Sequence, residues 1–157
     1  MKISIVVVGK TVKGFVLQGQ EEYLKRLKRY LKVDLVMIPD VKAVKSLPID
    51  QLMRKEAEQI LLAIGNCKEV FLLDEKGAEY TSEELASFIE GKMVAGAKEL
   101  VFIVGGAYGV TQEVKSRVSG AIALSKLTFS HQMVRVVLLE QVYRSMTIIR
   151  GEPYHHA

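Results

Sequence analysis

The sequence contains a single cysteine, Cys67, so no disulfide can form within the chain. One thiol also excludes a zinc site made of several cysteines, and it is compatible with a reducing compartment. No apolar run approaches the length of a membrane span, and the one in MKISIVVVGK is too short for a signal peptide. We therefore expect a cytoplasmic protein that needs neither a membrane nor a metal.

The composition is that of an ordinary globular protein, with 49% hydrophobic and 25% charged residues among 157. No internal repeat or low-complexity linker interrupts the sequence, so we predict a single domain over residues 1–157. The net charge of +4 and the pI of about 9.1 favour a polyanionic partner without requiring one.

Short β-branched runs alternate with longer amphipathic stretches, which is typical of an α/β fold with a parallel sheet flanked by helices. Thr81 and Glu84 fit a capping box at the start of the third helix. The predicted strands are 3–8, 33–38, 69–74, 99–104 and 120–125. The predicted helices are 18–31, 50–64, 82–95, 111–118 and 131–149.

The last predicted helix is apolar on nearly every side, so one sheet face cannot cover it. In a chain this short, we expect a second copy to supply the other surface, as in a two-fold homodimer. The first helix instead carries a basic stripe that includes Lys25 and Arg29. This stripe is either a solvated helix face or a ridge that contacts RNA phosphates.

Three glycines in five positions follow a buried strand in the segment FIVGGAYGV. Glycines at 105 and 106 either form a tight turn or let a ligand approach the backbone. A dinucleotide fingerprint fits poorly, because the spacing is GGxxG and no acidic residue ends the next strand. A nicotinamide-dependent oxidoreductase is therefore disfavoured.

The last quarter of the chain concentrates charged and titratable residues. It holds all three histidines together with Arg135 and Arg144. Such a concentration is typical of a polar site that handles anions. The alternative for His131 is a helix cap or a surface residue, which is the more common role of a lone histidine.

Three separated blocks, VGGAYGV, LSKLTFSHQMVRVVLLEQVYR and RGEPYHH, together resemble the RlmH family of the SPOUT (α/β-knot) superfamily. The openings MKISIVVVGK and EEYLKRLKRY are also similar to that family, so the resemblance covers essentially the whole chain. It implies a homodimer with a C-terminal trefoil knot and with S-adenosylmethionine as cofactor. It also implies methylation of N3 of pseudouridine 1915, in helix 69 of 23S rRNA on the assembled 70S ribosome.

The resemblance further implies site residues. The cofactor pocket would be formed by three loops, which carry Leu73, Gly105 and Gly106, and Leu124, Ser125, Lys126, Leu127, Thr128 and Phe129. The catalytic candidates are His155 and His131 as bases, with Tyr154 and Arg135 as donors or orienters. The residues expected to contact RNA are Arg144, Lys25 and Arg29.

Two positions depart from the family pattern. Ser130 stands where proline is common, so the loop is expected to be less rigid, and His156 stands where a basic residue is usual. Two other functions remain open: a knotted methyltransferase that acts on another RNA such as tRNA, and an inactive ribosome-associated module. Binding of S-adenosylmethionine would separate the enzymes from the inactive module.

Overall fold

The computed structural model describes residues 1–39 and 47–156. Five strands form one sheet in the order β2-β1-β4-β3-β5, and every neighbouring pair is parallel. The strands are β1 (Lys2–Val8), β2 (Lys32–Ile38), β3 (Val70–Glu79), β4 (Glu99–Val104) and β5 (Gly120–Ala123). The helices are α1 (Phe15–Leu27), α2 (Ile49–Ile64), α3 (Ser82–Val94), α4 (Gln112–Arg117) and α5 (Met133–Ile149). The predicted α/β class with a parallel sheet is thus confirmed.

The central strands are buried on both faces, because their side chains alternate between two cores. In β1, Ile3, Ile5 and Val7 point into the core beneath α1, α3 and α5. Val6 and Val8 point into the second core, beneath α2 and α4. This double burial is why these strands read as continuous apolar runs in the sequence.

The third strand is longer than predicted and contains a bulge. Leu73 and Ala78 both pair with Ile122, so the intervening residues leave the regular ladder. The sequence pattern ended this strand at 74, because the letters DEKG that follow are turn-forming and polar. The predicted capping box is present, since the side chain of Thr81 accepts from the backbone N–H of Glu84 and the reciprocal bond is also made.

Helix α5 is covered largely by its own chain. Helices α1 and α3 contact α5 as it lies on the sheet, and the segment after it returns so that Tyr154 packs edge-on against Tyr143 at 4.8 Å. The apolar circumference of α5 therefore does not by itself require a second copy. The homodimer and the trefoil knot both stay predictions.

We predict that Gly77→Ala destabilises the fold. A Cβ at Gly77 would lie 2.6 Å from the carbonyl carbon of Ala121 and from the backbone nitrogen of Ile122. Relieving that overlap requires the β3–β5 pairing to shift, so the free energy of unfolding should fall by about 2 kcal/mol or more in urea denaturation.

Gly91→Ala is the matched control. Gly91 lies in the exposed interior of α3, and a Cβ there would meet no heavy atom within 4 Å. Alanine favours the helix, so this variant should gain roughly 0.5–1 kcal/mol. Equal stability of the two variants would contradict the close approach at the bulge.

Candidate active site

A cleft of about 650 Å³ opens at the carboxyl ends of β3, β4 and β5. This edge is where parallel α/β sheets bind ligands, because the loops that follow the strands converge there. The sequence-predicted pocket residues that line the cleft are Leu73, Gly105, Gly106, Leu124, Ser125, Leu127, Thr128 and Phe129. The remaining one, Lys126, is exposed, and its ammonium group lies 3.6 Å from the Glu79 carboxylate, away from the cleft lining.

The glycines after β4 form the tight turn that was one of the two interpretations, and their backbone lines the cleft. Gly109 has φ of 79° and donates its N–H to the carbonyl of Gly106 at 3.0 Å, which closes a tight turn. A Cβ at Gly105 would lie 3.1 Å from Val110 Cγ1, and one at Gly106 would lie 2.7 Å from Glu56 Oε2. A Cβ at either glycine would thus crowd a side chain, that of Val110 in the turn or that of Glu56 on α2, and the bare backbone forms one wall of the cleft.

The β3 bulge forms a second wall that the sequence analysis missed. Asp74, Glu75 and Lys76 all line the cleft. The Asp74 carboxylate accepts from the backbone N–H of Lys76 at 2.9 Å, and the Thr128 hydroxyl donates to Glu75. That second bond joins the bulge to the loop after β5 across the mouth of the cleft. Gly77 was the one sign of it in the sequence.

Arg135 is fully buried and ties the start of α5 to the end of β1. Its guanidinium donates to the carbonyls of Val8 at 2.6 Å and Gly9 at 3.1 Å, and to the Thr11 hydroxyl at 3.1 Å. Its Nε donates to the His131 carbonyl at 3.0 Å. Burial lowers the pKa of this guanidinium, whose charge is stabilised by these oxygen acceptors. Of the two predicted roles, the position favours orientation of the His131 segment over donation to a substrate.

The two predicted bases lie in different places. His131 lines the cleft, in the turn before α5. His155 lies between α3 and α5, outside the cleft lining, with Nε2 at 2.7 Å from Glu83 Oε1 and Nδ1 at 3.3 Å from Arg144 Nη1. The hydrogen bond from His155 lowers the pKa of Glu83.

Tyr154 packs beside His155 on α5. Its hydroxyl donates to Glu140 Oε1 at 3.2 Å, and burial raises the pKa of that hydroxyl. Arg144 pairs with the same carboxylate at 2.8 Å and lies over the Tyr154 ring. Tyr154 and His155 are thus held against α3 and α5 of their own chain by a network of charged and aromatic contacts.

The predicted basic ridge is not near the cleft. Lys25 lies in the last turn of α1. Arg29 lies in the connection between α1 and β2, three residues before β2 begins at Lys32. Both residues are therefore at the amino-terminal edge of the sheet. Arg29 is ion-paired with Glu152. The structure therefore does not bring Lys25 or Arg29 together with the cleft of the same chain.

Two general findings concern residues 1–39 and 47–156. Within them, no group of three or more His, Cys, Asp or Glu side chains is arranged to hold a metal ion. Helices in the same ranges are all too short or too polar to cross a membrane.

Comparison with known proteins gave full-length matches. A family model described as "Predicted SPOUT methyltransferase" matches residues 1–155. The ribosomal RNA large subunit methyltransferase H of Parabacteroides distasonis is 47% identical over 156 residues, with 99% of each chain covered. The proteins of the same name from Porphyromonas gingivalis W83 and Bacteroides thetaiotaomicron are each 44% identical, with equal coverage.

One solved structure, of a probable methylase family protein from Haemophilus influenzae Rd KW20, is similar with a TM-score of 0.53 and 12% identity. The match covers 95% of this chain, and the chain spans 66% of that protein. This likeness concerns the fold alone.

We predict that Arg135→Met lowers the free energy of unfolding by about 2–4 kcal/mol, because it leaves buried carbonyl oxygens without their charged donor. Thermal and urea denaturation would measure this loss. His131→Ala is the control, since the His131 side chain lies at the cleft and its carbonyl, which Arg135 contacts, is retained. A fully stable Arg135→Met variant would contradict the bracing role.

Proposed function

The chain belongs to the SPOUT methyltransferase family, and we propose that it methylates N3 of pseudouridine 1915 in 23S ribosomal RNA, with S-adenosylmethionine as methyl donor. One observation carries the proposal. Every pocket residue that the family resemblance implies, apart from Lys126, lines a single cleft at the ligand-binding edge of the sheet. The relatives named as ribosomal RNA methyltransferases extend over the same length as this chain.

The cleft residues fit this cofactor in kind. Small-molecule pockets of several hundred Å³ are mostly apolar with a few directed polar groups. Here Leu73, Leu124 and Leu127 provide apolar walls for a purine, and the bare backbone at Gly105 and Gly106 provides N–H and C=O groups for its polar edge. A side chain on Gly105 would crowd Val110 in the turn, and one on Gly106 would crowd the Glu56 carboxylate.

When bound, S-adenosylmethionine supplies a methyl group that is already activated by a positive sulfonium. The protein must then position the base and accept the N3 proton as the new N–C bond forms. His131 is the base candidate that this chain itself brings to the cleft. Arg135 holds the His131 carbonyl and so orients the segment that carries the imidazole.

His155 is the other base candidate, and the structure adds a condition to that role. Both of its ring nitrogens are engaged, by Glu83 and by Arg144. To accept a proton at a cleft, His155 must leave these partners. A homodimer in which the tail of one chain reaches the cleft of the other would satisfy that condition.

The homodimer is part of the proposal. Val12, Phe15 and Leu127 are large apolar residues that are 52%, 72% and 75% exposed. All three follow the carboxyl end of a strand and so lie on the cleft side of the sheet. A second copy seated there would cover them and would also narrow the cleft. The ribosomal substrate would place the protein in the cytoplasm.

The decisive experiment uses ribosomes from a strain that lacks the modification. Incubation of the full-length protein with these 70S particles and methyl-labelled S-adenosylmethionine should label one nucleotide, which primer extension and mass spectrometry would locate in helix 69. We expect no labelling of free 23S RNA or of tRNA.

His155→Ala tests the catalytic role of the tail. It should retain binding of the cofactor in calorimetry and lose most of the labelling, if the tail acts at the cleft. Labelling of tRNA in place of ribosomes would overturn the substrate assignment, and absence of cofactor binding by the wild-type protein would overturn the enzyme assignment.

Neighbouring loop residues give a matched test of the pocket. Leu127 lines the cleft and Lys126 does not. Removing the Leu127 side chain exposes apolar surface of the bound cofactor, so Leu127→Ala should weaken binding of S-adenosylmethionine about tenfold. Lys126→Ala should change the dissociation constant less than about twofold, because the exposed Lys126–Glu79 ion pair contributes little to the stability of the loop. Equal effects of the two variants would show that the cofactor does not lie against this loop.

A further inference from the structure

The β3 bulge places a fixed negative charge at the mouth of the cleft. Glu75 lines the cleft, and its carboxylate accepts the hydrogen bond from Thr128 on the opposite loop. Gly77 anchors the bulge against the backbone of β5, where no side chain could fit. We propose that Glu75 is a specificity residue, which makes the cleft favour S-adenosylmethionine over the product S-adenosylhomocysteine. This inference rests on the proposed function.

The two nucleosides differ by one charge. The methyl donor carries a sulfonium, an ammonium and a carboxylate, for a net charge of +1. When the sulfur–methyl bond breaks, the bonding electrons stay on sulfur and leave a neutral thioether, so the product has no net charge. The ammonium and the carboxylate are common to both nucleosides, so it is a protein carboxylate near the bound sulfur that attracts the donor more than the product.

Other charges line the cleft, but they are placed differently. The Asp74 carboxylate accepts from the backbone N–H of Lys76, within the bulge itself. Lys76 and Lys115 are exposed, and long lysine side chains keep their ammonium groups in water. Glu75 is the charge that is held across the mouth by a contact between two loops. The Asp74 carboxylate is held as well, but within one segment, whereas the position of Glu75 depends on both loops at the mouth.

This selectivity has a use in turnover. A cleft that loses attraction for its ligand when the methyl group leaves will release the product more readily and will favour replacement by fresh donor. Because Glu75 is exposed, the effect should weaken as salt screens the carboxylate.

The test is the ratio of two dissociation constants, measured by calorimetry for S-adenosylmethionine and S-adenosylhomocysteine on the full-length protein. Glu75→Gln removes the charge and keeps an oxygen that accepts from Thr128. We expect this variant to lose preference for the donor by about fivefold at low salt, mostly through weaker donor binding. The wild-type ratio should approach that of the variant as salt is raised.

Two variants separate charge from structure. Thr128→Val removes the contact that holds the Glu75 carboxylate and keeps the charge, so it should weaken binding of both nucleosides and lower their ratio by less than Glu75→Gln does. Glu79→Gln removes a carboxylate from the same strand that pairs with Lys126 outside the cleft lining, and it should leave the ratio unchanged.

The outcomes are distinct. If Glu75→Gln weakens binding of both nucleosides equally, the ratio of dissociation constants is unchanged. That result would overturn the specificity role even if the wild-type protein binds both nucleosides and methylates ribosomes. Failure of the wild-type protein to bind either nucleoside would overturn the proposed function together with this inference.

Discussion

The buried guanidinium of Arg135 ties the start of α5 to the end of β1 at the edge of the sheet where the cleft lies. It holds these two segments together because it donates hydrogen bonds to oxygen atoms of Val8, Gly9, Thr11 and His131. A buried cation is costly unless acceptors surround it, so these segments are held in one arrangement. The loop after β5 must then run between the sheet edge and this fixed point, which places it over the carboxyl ends of β3 and β4.

The cleft follows from that constraint. The loop after β5 forms one side, the glycine turn after β4 forms the floor, and the β3 bulge forms the other side. The turn and the bulge each contain glycines at which a Cβ would crowd a neighbour, namely Gly105 and Gly106 in the turn and Gly77 in the bulge. Packing within the chain therefore accounts for these glycines, and access for a ligand stays a prediction.

The sequence predicted the fold class from local signals, whereas the residues that line the cleft were implied by the family resemblance. Double burial makes β1 and β4 read as apolar runs, and a capping box marks the start of α3. The β3 bulge escaped prediction because DEKG resembles the end of a strand, and the pairing that continues it at Ala78 is non-local. The sequence left the role of Arg135 open between donor and orienter for the same reason, since its burial depends on β1, more than 120 positions earlier in the chain.

The placement of the two histidines links the fold to the proposed chemistry. A base must hold a free nitrogen near the reacting atom, and His155 in its seat on α3 and α5 has neither nitrogen free. The position of the tail on α3 and α5 is nevertheless well defined. Glu140 and Arg144 contact Tyr154, and the Tyr154 ring packs against Tyr143. A tail that is ordered away from the cleft and bound through ionic contacts can exchange its partners without unfolding a core element. His155 would therefore have to leave Glu83 and Arg144 to act as the base, whereas His131 already lines the cleft.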